Sequence, residues 1–373
     1  MSEMRRLHVG MPDGTGYEVR IGPGALDRVG DYLDQQGIEA GSQLVLVSDA
    51  NVAPLYGVAL RDALEEAGYA VMDLVVPAGE KSKSLACASE LWSALAERGI
   101  ERDATVLALG GGVVGDLSGF VASTYLRGIR YVQVPTSLLA MVDSSVGGKT
   151  AVDLPQGKNL VGTFKQPAYV LADIDTLQSL PEGEWKNGLG EAAKSALVGG
   201  GDFYRWLTSG AAAVRAHEKS AVRDLVVRCV TFKAGVVARD ETEVSGEREC
   251  LNYGHTLAHA IEVEAGYGTF GHGVAVAEGM RFASRLAVEA AGAPKELVAL
   301  QDSLLDSLGL PPLAWHADPK ALLDRMKHDK KARAGQVRMV LLTGVGSWRV
   351  QAVPDEVLLR HLTAWARSKG ALR

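Results

Sequence analysis

Apolar positions along the first 180 residues fall in short runs separated by longer stretches of helical spacing. Residues 4–10 and 16–21 alternate polar and apolar about Pro12-Asp13-Gly14, the pattern of a hairpin. Gln43 to Ser48 and Val71 to Val76 read as strands, each followed by a helix, at about Val52 to Ala67 and Leu85 to Arg98. Val106 to Leu109, Tyr131 to Val134 and Tyr169 to Ala172 continue the series, with a helix to about Ser123 after the first of them. Such alternation predicts a mostly parallel sheet with helices on its faces. Beyond Pro181 the spacing becomes helical, over Ala221 to Val237, Leu251 to Ala265, Val274 to Ala291 and Leu297 to Leu308. Only Val337 to Leu342 and Trp348 to Val350 read as strands there, and a helix over Asp355 to Ser368 closes the chain. The expectation is an α/β domain over 1–180 and a mainly α-helical domain over 181–373.

The strand at Val106 runs into Gly110-Gly111-Gly112-Val113-Val114-Gly115-Asp116 and then a helix. Glycines at a helix start let backbone come close to a phosphate, and the first-turn N–H groups point at the anion. Gly110, Gly112 and Gly115 fit G-x-G-x-x-G, the dinucleotide spacing. With 43 glycines in 373 residues such spacing also arises by chance, and a tight strand–helix turn needs the same residues. The acidic residue that should close the following strand is missing: Tyr131 to Val134 ends in Pro135-Thr136-Ser137. Asp49, at the end of an earlier strand, could take that ribose role or simply cap a helix. Asn51, Glu80 and Lys81 also stand at strand ends, where parallel sheets bind ligands. Gly148-Lys149-Thr150 mimics the end of a P-loop, but Asp143 stands where its first glycine is needed, which excludes that nest.

Composition narrows the class. Apolar residues are 47% of the chain, enough for sizeable cores, and the net charge of −6 gives no global pull toward nucleic acid or anionic membrane. No apolar run approaches the roughly 20 residues of a membrane span. The N-terminal segment has no secretory h-region, and three scattered cysteines, Cys87, Cys229 and Cys250, suit a reducing cytoplasm. Cys250 reads as a packed helix residue.

Three of the eight histidines fall within 18 residues. His255 and His259 are four apart and share a helix face. His272 follows a glycine-rich turn and begins another helix that can fold back beside the first. Two imidazoles and a carboxylate form a catalytic zinc set with an open position, and Glu191, read as lying at a helix start beside Lys194, is the carboxylate of choice. Histidines packed in a core would show the same spacing. Lys149 and Lys158 read as lying in glycine-bearing loops. Together with Lys194, Lys233, Arg248, Lys330 and Lys331 they are either solvated surface charges or, as a set, a pocket for a small dianion carrying phosphate and carboxylate.

The strings GGGVVGDLSGF, VPTSLLAMVDSSVGGKTAVD, GKNLVGTF, GLGEAAK, LNYGHT and HDKK stand in this order between about 80 and 335. In combination they resemble the 3-dehydroquinate synthase family of sugar phosphate cyclases. The resemblance implies an N-terminal NAD-binding α/β domain, a helical C-terminal metal-binding domain, an active site in the cleft between them, and a homodimer. Its metal ligands, for zinc or cobalt, match Glu191, His255 and His272. Its NAD contacts match Asp49, Asn51, Glu80, Lys81 and Lys83, then Gly112, Val113, Val114, Gly115 and Asp116. They continue at Thr136, Ser137, Lys149 and Lys158, and end at Thr176, Leu177, Gln178 and Ser179. Its contacts to a phosphorylated sugar acid match Asp143, Lys149, Asn159, Lys194, Lys233, Arg248, Asn252, His259 and a lysine of Lys330-Lys331. Arg127 resembles an arginine lent to the neighbouring subunit's phosphate site. Ala258 departs from the glycine usual between the two histidines, a methyl expected to be tolerated if it faces the helix exterior.

What this implies is conversion of 3-deoxy-D-arabino-heptulosonate 7-phosphate to 3-dehydroquinate and phosphate, with NAD reduced and regenerated. A polyol dehydrogenase of the same fold, a cyclase of secondary metabolism and a non-catalytic NAD-binding paralogue are the competing readings. The dehydrogenase would accumulate NADH, the second cyclase would use a different sugar phosphate, and the paralogue should lack part of the Glu191, His255 and His272 set.

Overall fold

Alternate residues of the central strands feed two different cores. The computed structural model describes residues 4–328 and 336–370. Its first part contains the strands β1 (Arg5–Gly10), β2 (Gly16–Gly22), β3 (Gln43–Asp49), β4 (Ala70–Val76), β5 (Thr105–Gly110), β6 (Arg130–Pro135), β7 (Lys149–Leu154), β8 (Gly157–Phe164) and β9 (Tyr169–Asp173). Between them run α1 (Val29–Asp34), α2 (Val58–Glu66), α3 (Leu85–Glu97) and α4 (Gly112–Thr124). Val45, Val47, Val106 and Ala108 pack under α3 and α4, while Leu44, Leu46, Leu107 and Leu109 pack under α1 and α2. The two-residue period of a strand sends neighbours to opposite faces, so a strand covered on both sides reads as a continuous apolar run.

The sheet order is β1-β2-β9-β6-β5-β3-β4, antiparallel at β1–β2 and parallel elsewhere. The expected hairpin at Pro12-Asp13-Gly14 is β1–β2, its turn closed by Met11 N to Thr15 O at 2.8 Å. The chain leaves β3 for β4 on one side and returns to β5 on the other. This reversal leaves a crevice at the carboxyl ends of β3 and β5, the usual ligand position in such sheets. The strands β7 and β8 pair with each other as a separate antiparallel hairpin. Lys149, Lys158 and Asn159 therefore lie on strands, not in the loops expected from their glycines. The alternating pattern of Thr150 to Leu154 is the signal, but the glycines of the segment obscure it.

The second part holds α5 (Glu182–Gly199), α6 (Gly201–Arg215), α7 (Lys219–Arg239), α8 (His255–Ala265), α9 (His272–Ala290), α10 (Glu296–Ser307), α11 (Pro319–Lys327), the hairpin β10 (Arg338–Gly344) and β11 (Ser347–Ala352), and α12 (Asp355–Ser368). Helix starts follow local chemistry. Pro181 and Pro354 precede α5 and α12, whose first turns carry Glu182 and Glu184, and Asp355 and Glu356, facing the positive helix end. Asp318 Oδ1 accepts from Lys320 N at the start of α11. No helix among the described residues is long and apolar enough to cross a membrane.

Contacts divide the chain into Met1–Leu180 with Val222–Thr242, and Pro181–Ala221 with Glu243–Arg373. The second region is therefore not the uninterrupted 181–373 that the pattern suggested. Most of α7 belongs with the sheet, held there by Lys233 on Asp143 and by Gln166 Nε2 donating to Glu241 Oε1 at 3.0 Å. These are long-range pairings invisible to helical periodicity.

In the helical unit Glu278 is a buried anchor for the C-terminal helix. Its carboxylate accepts from Leu313 N at 2.7 Å and Trp365 Nε1 at 2.5 Å, and pairs with Lys369 Nζ at 2.7 Å. Glu278→Ala strands a buried cation and two N–H donors, a loss of about 3–5 kcal/mol. Urea unfolding monitored by the Trp365 environment should show it, and an unchanged midpoint would contradict the anchoring role.

Candidate active site

The first unit gathers the expected dinucleotide residues at one edge of its sheet. Asp49 and Asn51 follow β3, Glu80 and Lys81 follow β4, the glycine run follows β5, Thr136 and Ser137 follow β6, and Thr176 to Ser179 follow β9. Thr136 N donates to Gly110 O at 2.9 Å and ties two of these loops. Gly112 opens α4, so the first-turn N–H groups of that helix emerge at the same edge. Asp49 Oδ1 accepts from Asn51 N at 2.8 Å and Val52 N at 3.1 Å, the capping role left open by the sequence. Lys83 Nζ lies 2.5 Å from Asp116 Oδ2 in the interior. Burial works against the charge of Lys83, but Asp116 outweighs it and shifts the amine upward. Lys158 Nζ lies 3.7 Å from Glu80.

Also in this unit, Lys233 pairs with the Asp143 carboxylate and donates to its carbonyl at 2.8 Å. Lys149 and Asn159 are exposed on β7 and β8, and Asn159 takes a left-handed φ of 54°. Arg127 is exposed on a left-handed turn, with φ of 68° following 49° at Leu126. A groove of about 410 Å³ runs along β1 and α7, lined mainly by apolar groups, and holds none of these residues.

The second unit assembles the proposed metal set. Pro181 starts α5 early, so Glu191 lies mid-helix and not at the helix start expected from its sequence neighbours. This placement turns Glu191 inward, 1% exposed, with Lys194 one turn later paired to its Oε2. Gly254, at φ 82°, breaks the chain before His255, so α8 starts there and not at Leu251. Arg248, Cys250 and Asn252 belong instead to a short 3-10 turn, Glu247–Asn252, in which Cys250 is buried. His272 is the first residue of α9.

Close backbone contact brings these helices together. A Cβ on Gly190 would lie 2.1 Å from Gly273 O, so bare backbone meets bare backbone where α9 starts against α5. The residues next to these two glycines are Glu191 and His272. Glu191 Oε1 stands 3.3 Å from His272 Nε2 and 3.6 Å from His255 Nε2. The three ligand atoms lie within 4.8 Å of one another. Neither oxygen of Glu191 accepts a hydrogen bond of normal geometry, although the carboxylate is buried. Ligands about 2.0–2.2 Å from a tetrahedral ion stand roughly 3.3–3.6 Å apart, so the spacing fits a divalent metal.

Electrostatics agree with that fit. Burial would raise Glu191, but Lys194 and His272 hold it well below the usual carboxylate range. Burial would lower His272, but Glu191 and Glu262 outweigh it and the imidazole is pushed up to about 10. The field that retains this proton also attracts a cation. The His259 ring centroid lies 5.5 Å from that of His255 and 6.2 Å from that of His272, beside the ligand set. Ala258 is fully buried, so its methyl does not face the exterior as the tolerance expectation required. Lys330 and Lys331 lie outside the described residues. Sequence reasoning missed Glu262, whose Oε1 stands 3.4 Å from His272 Nδ1. Its signal was the seven-residue spacing from His255, two turns along one face.

Comparison with known proteins follows the same division. Family models described as 3-dehydroquinate synthase N-terminal and C-terminal match residues 73–187 and 188–332. The 3-dehydroquinate synthase of Desulforamulus reducens is 44% identical over 336 residues, 88% of this chain and 91% of that protein. Among solved structures, 2-deoxy-scyllo-inosose synthase complexed with carbaglucose-6-phosphate, NAD+ and Co2+ aligns with a TM-score of 0.88 and 26% identity, covering 96% of this chain and 99% of that one. For 2-epi-5-epi-valiolone synthase from Streptomyces hygroscopicus subsp. jinggangensis 5008, with NAD+ and Zn2+ bound, the values are 0.85 and 27%, covering 95% and 98%.

Proposed function

The chain belongs to the 3-dehydroquinate synthase family, and from that premise we propose how its residues serve the synthase reaction. The reaction converts 3-deoxy-D-arabino-heptulosonate 7-phosphate to 3-dehydroquinate and phosphate. It comprises transient oxidation at C5, β-elimination of phosphate, re-reduction at C5, ring opening and intramolecular aldol closure. The enzyme is on this reading a carbon–oxygen lyase with no net redox change.

Glu191, His255 and His272 carry the proposal: a buried carboxylate and two imidazoles at the mutual spacing of metal ligands. They would hold a divalent zinc or cobalt ion, and the loops at the carboxyl edge of the sheet would hold NAD, the cofactors named for the two solved relatives. When bound, the metal supplies Lewis acidity toward the substrate hydroxyls and NAD a reversible hydride store.

The chain's own groups bind, orient and move protons. His259 stands beside the ligands and exchanges the proton of the reacting hydroxyl. Lys194 holds Glu191 Oε2, which leaves Oε1 toward the histidines. Lys149, Asn159 and one of Lys330 and Lys331 hold the phosphate, and Lys233, Arg248 and Asn252 hold the carboxylate and ring hydroxyls. Asp143 fixes the Lys233 amine. Several successive steps on one substrate require one pose, which is what many polar contacts supply. Arg127, exposed on its left-handed turn, reaches the phosphate of a neighbouring subunit's substrate, so the working form is a homodimer. A reducing cytoplasm suits three described cysteines that form no disulfide.

Phosphate release from 3-deoxy-D-arabino-heptulosonate 7-phosphate, measured with trace NAD and zinc while following the NADH band, tests this. Stoichiometric phosphate without lasting NADH, abolished by chelator and restored by zinc or cobalt, is expected. NADH accumulating on polyols without phosphate release would favour the dehydrogenase instead.

A further inference from the structure

We propose that Glu262 is a positioning residue of the metal centre, fixing the ring orientation and tautomer of His272. The proposal rests on the metal-binding reading of Glu191, His255 and His272 given above. The two nitrogens of His272 face different carboxylates. Nε2 stands 3.3 Å from Glu191 Oε1, and Nδ1 stands 3.4 Å from Glu262 Oε1. A neutral imidazole carries one N–H, and a fixed acceptor at Nδ1 keeps the proton there and leaves the Nε2 lone pair for a cation. His255 follows the same plan with a different acceptor: its Nδ1 lies 3.2 Å from Tyr253 O while Nε2 faces Glu191. Both ligand rings are thus held from behind.

The two rings differ in how much they depend on that hold. The His255 side chain is 11% exposed and packed, whereas that of His272 is 33% exposed. His272 also follows a turn containing Gly266, Gly268 and Gly271, which leaves its approach to the helix loosely determined by local chain stiffness. A buried carboxylate on the neighbouring helix supplies the missing constraint. Its second charge also helps to balance a divalent ion. Carboxylates behind ligating histidines raise metal affinity by about 10–100-fold.

The test uses the full-length apo protein and the variants Glu262→Ala, Glu262→Gln and His255→Ala. Zinc affinity is measured by competition with a chromophoric chelator, and the visible absorption of the cobalt form reports ligand geometry. Glu262→Ala is expected to lose about a hundredfold in zinc affinity and Glu262→Gln, which keeps the shape without the charge, about tenfold. Both should alter the cobalt spectrum while leaving the apo unfolding midpoint of the Gln variant unchanged. Wild-type affinity and an unchanged cobalt spectrum in Glu262→Gln, with metal lost from His255→Ala, would overturn the role of Glu262 and leave the metal centre standing. Wild-type zinc affinity in His255→Ala would overturn the metal centre itself. Should the Ala variant not fold, the Gln variant decides alone.

Discussion

His255→Ala is expected to eliminate metal binding and lower turnover at least about a thousandfold, while the protein stays folded. The metal's charge stabilisation is worth several kcal/mol, and about 4 kcal/mol corresponds to that factor. Losing one of three ligands leaves two, too few for a closed catalytic set. The fold survives because the buried Glu191 carboxylate keeps Lys194 and His272 as partners. The lost contacts of His255 are its Nδ1 approach to Tyr253 O at 3.2 Å and its ring packing. Metal content of the dialysed variant, far-ultraviolet dichroism and phosphate release check the three parts separately. Full metal content with full turnover would end the proposed role of His255.

Gly190→Ala is expected to damage both stability and activity, although no functional atom is removed. The new Cβ would sit 2.1 Å from Gly273 O, a backbone atom that cannot swing aside. The start of α9 must then move from α5 by about an ångström. Forced overpacking costs about 1–3 kcal/mol, and a shift of about 1 Å between reacting groups costs about a hundredfold in rate. Here it would separate Glu191 from His272, the residues adjoining the two glycines. Gly183→Ala in the same helix is the control, since nothing lies within 4 Å of its Cβ position. There alanine should be neutral or stabilise by about 0.5–1 kcal/mol. Equal melting temperatures and rates for the two variants would show that the close approach is not needed.

The contrast between these glycines illustrates what could be read in advance. Both stand in one helix, and no sequence rule separates them, because the obstacle at Gly190 is contributed by a residue 83 positions later in another helix. Lys194 beside Glu191 was legible, since three residues of helix bring side chains to one face. His255 with His259 was legible for the same reason. Glu262 behind His272 was not, because the contact joins the end of one helix to the start of the next across a glycine-rich turn. The hairpin of β7 and β8 escaped because glycines mask its alternation, and α7 escaped because a helix shows its period wherever it packs.

By itself the sequence determined the elements and the chemistry within them: strands buried on two faces, helices begun after Pro181 and Pro354, the hairpin at Pro12-Asp13-Gly14, and a set of motifs specific enough to indicate the family. These depend on interactions a few residues apart, which local chemistry dictates. Only the tertiary structure decided which elements meet. The strand order, the return of α7 to the first unit, the seating of Lys233 on Asp143 and the convergence of Glu191, His255, His272 and Glu262 all depend on packing between distant segments. Each segment alone is compatible with many partners, and shape and burial select among them.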